Sequence, residues 1–142
     1  MEESKSPNPN PNEIPTPKSQ QNPSAQPGKP RKPYDLRGRT FEFAVRILDI
    51  AAVLPPIGCG KIADQLVMSG SSVGANVEEA DGALSRPDKR RAFVIARKEA
   101  REARYWLRLV DRVLGAKISV RADIDEASEL VYILSAIISK LE

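Results

Sequence analysis

The chain has 142 residues, with 22 basic and 19 acidic side chains, one cysteine and no histidine. That length suits one domain with a proper core and is too short for two. A single cysteine excludes an intramolecular disulfide framework, and the lack of histidine removes the commonest general base and the commonest metal ligand. The net charge of +3 is too small to imply an anionic partner by itself, so the distribution of charge carries the information.

Nine of the twelve prolines lie in residues 1–33, among Asn, Gln, Ser and Lys, and Ile14 is the only large aliphatic there besides Met1. Such a segment buries too little apolar surface to offset its ordering entropy and is expected to be a disordered arm with polyproline character. It holds no apolar run of the kind an export signal needs, and no later run approaches the ~20 residues required to cross a bilayer. A soluble, cytoplasmic protein without membrane contact is expected.

Residues 34–142 read as one all-α domain, an up-and-down antiparallel four-helix bundle. The first helix spans about 36–54, with Phe41, Val45, Leu48 and Ala52 as one apolar face, Ala44, Ile47 and Ala51 beside it, and Pro55-Pro56 as its stop. The second, about 61–81, carries two stripes at four-three spacing. Ile62, Leu66, Gly70, Val73, Val77 and Ala80 form a core seam, and Gln65, Ser69, Ser72, Asn76 and Glu79 form a polar lane next to it. A lane of short polar side chains suits close helix contact with hydrogen bonds across it, which specifies assembly and register more than chemistry. Gly82 is placed to end this helix in a left-handed conformation.

Ser85-Arg86-Pro87-Asp88 combines an N-cap serine, a first-turn proline and an acid at the third position, opening a helix over about 86–114. Asp123 with Glu126 three residues on reads as the start of the fourth, about 122–141, whose apolar face includes Ile124, Leu130, Leu134, Ile138 and Leu141. Charge separates by helix. Residues 86–112 hold ten basic against four acidic side chains, whereas 61–85 and 121–142 are each net negative by three.

On the third helix Arg90, Arg97, Arg101, Arg104, Arg108 and Arg112 fall within an arc of roughly 80°, apart from an apolar arc of Ala92, Ala96, Ala100, Ala103, Leu107, Val110 and Leu114. Aligned guanidinium groups make a track for phosphates. The competing reading is a solvated face whose arginines pair with the acidic second and fourth helices. Tyr105 and Trp106 are suited either to stacking on bases or to the core.

No recognisable catalytic constellation is present. Gly60-Lys61 resembles part of a phosphate loop, but Pro55 stands where its first glycine is needed and Ile62 follows the lysine. A di-iron bundle needs Glu-x-x-His pairs, which a chain without histidine lacks. Glu99 and Glu102 share a helical face without a nucleophile at recognisable spacing, and Cys59 has no identifiable activating base. The expectation is a non-enzyme without cofactor or metal, and nothing in the sequence points to a small-molecule pocket.

Tyr34-Asp35-Leu36 with Arg39-Thr40-Phe41-Glu42-Phe43-Ala44, then Gln65-Leu66, Ser69, Ser72-Val73, Ala75-Asn76-Val77 and Glu79-Ala80, then Ile95-Ala96, Glu99-Ala100-Arg101-Glu102 and Tyr105-Trp106-Leu107 together resemble a known family. It is the four-helix-bundle family named for proteins encoded in intervening sequences of bacterial 23S rRNA genes, which also includes the accessory variability determinant of diversity-generating retroelements. The resemblance covers about residues 34–140 and leaves the arm without a counterpart. It implies a homopentameric ring, and in the retroelement branch binding to nucleic acid and to a reverse transcriptase. It brings no catalytic residues. The resulting expectation is a homo-oligomeric scaffold whose third-helix arginines contact structured RNA or an RNA–DNA hybrid. The alternative is a protein-interaction hub without nucleic acid, recruiting partners through its proline-rich arm.

Overall fold

The computed structural model describes residues 35–142, so the proline-rich arm lies outside the described residues. Four helices, α1 (Leu36–Ala52), α2 (Gly60–Asp81), α3 (Arg86–Leu114) and α4 (Arg121–Lys140), make an all-α fold, with a short 3₁₀ turn at Pro55–Ile57 and no strand among the described residues. Neighbouring helices run antiparallel. Arg37 at the start of α1 meets Glu78 and Asp81 at the end of α2, and Arg97 and Arg104 of α3 meet Ser135 and Ser128 of α4 in reversed order.

Local chemistry sets the helix ends. The Asp35 carboxylate accepts from the Gly38 N–H at 2.9 Å, and the Ser85 hydroxyl accepts from the Asp88 N–H at 3.2 Å, each satisfying a donor that the first turn leaves unpaired. After α1, two prolines that cannot donate lead to Gly58, whose φ of 85° lies in the left-handed region. Gly82 departs from expectation with φ −88°, because its N–H reaches back to the Glu78 carbonyl without a left-handed residue. Ile118 and Val120 are buried and pin the α3–α4 connection onto the core.

The core is filled by Phe43, Ile47 and Ile50 of α1, Leu54 just beyond its end, Leu66 and Val73 of α2, and Leu130 and Leu134 of α4. Opposite them α3 presents mainly alanines, which permits close approach. Two glycines of α2 let it approach α1 closely. A Cβ on Gly70 would stand 2.7 Å from the Ile47 side chain, and one on Gly74 would stand 3.3 Å from the Thr40 carbonyl oxygen.

Two expectations fail for one reason. The α1 face of Phe41, Val45, Leu48 and Ala52 points to solvent, and Thr40, Phe43, Ile47, Ile50 and Ala51 are buried instead. Asp123 and Glu126 do not cap α4, whose N-cap is Val120 with no side-chain hydrogen bond. They form bidentate pairs with Arg46 (2.7 and 2.9 Å) and Arg39 (2.8 and 3.0 Å) of α1. Both faces of α1 are apolar enough to bury, so the long-range ion pairs decide its rotation. Turning Phe41 inward would carry Arg39 and Arg46 away from α4 and leave Asp123, 4% exposed, as an unpaired buried charge.

Candidate nucleic-acid interface

Among the described residues five of the six stripe arginines on α3 form no ion pair. Several acids of the neighbouring helices pair with α1 instead: Arg37 holds Glu78 at 2.8 Å and Asp81 at 3.4 Å, Arg39 holds Glu126, and Arg46 holds Asp123. The hydrogen bonds that Arg37 and Arg39 donate to Glu78 and Glu126 accordingly raise the pKa values of the two arginines. Asp111, on α3 itself, is met by Arg121 at 3.7 Å.

Among the six arginines of the stripe only Arg90 has an ion-pair partner, Glu142 at 3.2 Å, and its Nε is buried without a hydrogen bond. Arg97 donates to the Ser135 hydroxyl at 3.3 Å and Arg104 to the Ser128 hydroxyl at 3.4 Å. Arg101, Arg108 and Arg112 are exposed. Among the described residues no carboxylate oxygen comes within 4.0 Å of these last five arginines. Arg86, beside the stripe, instead caps α4 by donating to the carbonyls of Lys140 and Leu141.

The two aromatics singled out on α3 part company. Trp106 is half-buried, packs against the core and donates to Glu102 at 3.4 Å. Tyr105 stays 54% exposed, edge-on to Trp106 with ring centroids 5.0 Å apart. A third aromatic went unnoticed in the sequence. Tyr132 of α4 is 77% exposed and shares a helical face with Ser128 and Ser135, the two serines that receive the α3 arginines. Its signal was the four-three spacing of Ser128, Tyr132 and Ser135, a polar lane masked by the broad apolar face beside it.

The polar lane of α2 satisfies itself. Ser69 and Ser72 donate to the carbonyls of Gln65 and Met68, and Asn76 donates to that of Ser72, all four residues back on the same helix. Among the described residues these three side chains make none of the expected hydrogen bonds across to a neighbouring helix. Asn76 and Glu79 line an open groove between α2 and α3, together with Asp88, Arg91 and Ile95. Half-buried Glu99 lies on α3 with its pKa raised, by burial first and by Glu102 second, while Lys98 pulls it down. Among the described residues no cluster of acidic residues or cysteine is placed to hold a metal ion, and no helix is long and apolar enough to cross a membrane.

Residues 34–136, from the start of α1 through most of α4, match the sequence profile of the 23S rRNA-intervening sequence protein family. The chain belongs to this family. A crystal structure of a protein of unknown function from the S23 ribosomal protein family of Bacteroides thetaiotaomicron is similar to it, with 32% identity and a TM-score of 0.67. The similarity covers 72% of this chain and 97% of that one. No curated protein matches. The intervening-sequence family match thus spans the whole arginine stripe, Tyr105 and Tyr132, and stops only in the last turns of α4.

Proposed function

We propose that this chain is a non-enzymatic, homo-oligomeric nucleic-acid-binding scaffold whose α3 arginines contact the phosphates of structured RNA or an RNA–DNA hybrid. The observation that carries this reading is that, among the described residues, no carboxylate lies within ion-pair distance of Arg97, Arg101, Arg104, Arg108 and Arg112, while α1 pairs with several acids of α2 and α4. Unneutralised guanidinium groups in a row release counterions from a phosphate backbone, and repetition of the row around an assembly multiplies weak contacts through effective concentration. The family's description directs the first probe to rRNA.

The test is fluorescence anisotropy of a labelled transcript from 23S rRNA, titrated from low to high salt. Wild-type affinity falls steeply with salt. Changing Arg97, Arg101, Arg104 and Arg108 together to Glu lowers affinity by about a hundredfold or more and makes the log–log salt slope shallower by about three. Unchanged binding by a variant of native helicity and mass would remove the stripe from the function.

A second reading has its own observation, the exposed apolar row of Phe41, Val45 and Leu48, which suits a protein-interaction hub. In that reading the arginines meet carboxylates of another copy, such as Glu79 or Glu99. The same four substitutions then reduce the oligomer mass and no RNA affinity exists to lose.

A further inference from the structure

Resting on that reading of the arginine stripe, we propose that the exposed face along the α3/α4 seam binds an unpaired nucleotide, with Tyr132 stacking on its base while Arg97, Arg101 and Arg104 hold the flanking phosphates. The ligand class is then single-stranded nucleic acid, or an unpaired loop of a folded RNA, in preference to continuous duplex.

Two rungs cross the α3/α4 seam. Arg97 reaches Ser135 and Arg104 reaches Ser128, and because α3 and α4 are antiparallel these contacts bracket the turn of α4 that carries Tyr132 and the turn of α3 that carries Arg101. The rungs are neutral hydrogen bonds at 3.3 and 3.4 Å, so each guanidinium is held in place while keeping its charge and most of its donors for a ligand. Seven residues separate Arg97 from Arg104, which places the rungs about 10.5 Å apart along the helix.

Tyr132 contributes little to the fold. It is 77% exposed and its hydroxyl has no hydrogen-bond partner among the described residues. The helix has polar occupants at the corresponding places one turn away, in Ser128 and Ser135, so folding alone does not require an aromatic there. An aromatic face amid arginines has a use that a charged track lacks, because it binds the π-face of a base that has left its stack. A paired helix offers phosphates to the arginines but no base face to the ring. Tyr105, one turn from both Arg101 and Arg108 and also exposed, lies on the outer side of the same row.

The experiment compares labelled twelve-nucleotide oligo-U and oligo-dT with a twelve-base-pair RNA duplex, against wild type, Tyr132→Ala, Tyr132→Phe and Tyr132→Trp. Tyr132→Ala weakens binding of the single strands about tenfold and changes duplex binding less than twofold, while Tyr132→Phe retains wild-type affinity for both. In Tyr132→Trp the added indole emission, taken as the difference from Tyr132→Phe because Trp106 is the only native tryptophan, is quenched on adding the single strands. Loss confined to oligo-U assigns the seam to RNA, and equal loss with oligo-dT assigns it to either single strand; both support stacking. Unchanged single-strand affinity in Tyr132→Ala, or an equal loss on duplex, overturns the stacking role while leaving the phosphate track intact. Absence of any salt-dependent binding by wild type overturns the track as well.

Discussion

Arg46 and Asp123 show how one distant pair governs a helix's orientation. Asp123 is almost fully buried beside α1, and Arg46 meets both its carboxylate oxygens. The pair contributes little net stability, because desolvation of two charges offsets most of their attraction. Breaking it is different, since the remaining carboxylate has no water and no donor of equal strength. Arg46→Met is expected to lower the unfolding free energy by about 3 kcal/mol, and adding Asp123→Leu to recover most of it. Denaturant titration at fixed protomer concentration measures both, and an Arg46→Met loss under about 1 kcal/mol would mean that water already screens the pair. Arg37, exposed along with Glu78, is the contrasting case and is expected to matter for charge placement more than for stability.

At the scale of elements, the α1–α2 contact depends on the absence of side chains. Ile47 is completely buried and β-branched, so it has few rotamers with which to avoid a methyl group on Gly70. Overpacking of this kind costs about 1–3 kcal/mol, against about 1 kcal/mol gained in helix propensity. Gly70→Ala is therefore expected to lower the thermal midpoint. Gly74→Ala, which meets the Thr40 carbonyl oxygen at a less severe 3.3 Å, is expected to lower it less, and the reverse order in a melting series would refute the account. What the sequence showed of each helix follows from how local its determinants are. The faces of α3 were legible because alanines and arginines segregate completely, and its start because Ser85 and Asp88 act within one turn. The buried face of α1 was not, because two apolar stripes compete and the decision lies with acids about eighty residues away, on α4. Asp123 and Glu126 misled for a related reason, since the spacing of a capping box also suits two carboxylates facing a neighbouring helix. The arginine stripe was legible as a row, but not that only Arg90 of it meets a carboxylate among the described residues, which depends on how the helices are placed.

At the scale of the whole molecule, α1 has two jobs on opposite sides. Its arginines pair with carboxylates of α2 and α4, while its outer side carries Phe41 (66% exposed), Val45 (38%) and Leu48 (50%) at four-three spacing. A row of this kind leaves apolar area in water along two turns, and its removal from water by another copy would stabilise an assembly. Full burial of a side chain of this size contributes about 1.5–3 kcal/mol, so the exposed fractions of Phe41 and Leu48 together hold about 2–3 kcal/mol of that driving force. Phe41→Gln with Leu48→Gln is therefore expected to weaken self-association by about 30- to 100-fold, with helicity unchanged because neither side chain belongs to the core. Native mass spectrometry and sedimentation across a protomer dilution series read the shift directly. If the arginine rows act together, RNA affinity falls in the same variant although no arginine has been touched, through the lost effective concentration. An assembly mass unaltered by both substitutions would separate the apolar row from oligomerisation and return it to the role of a docking face for a different protein.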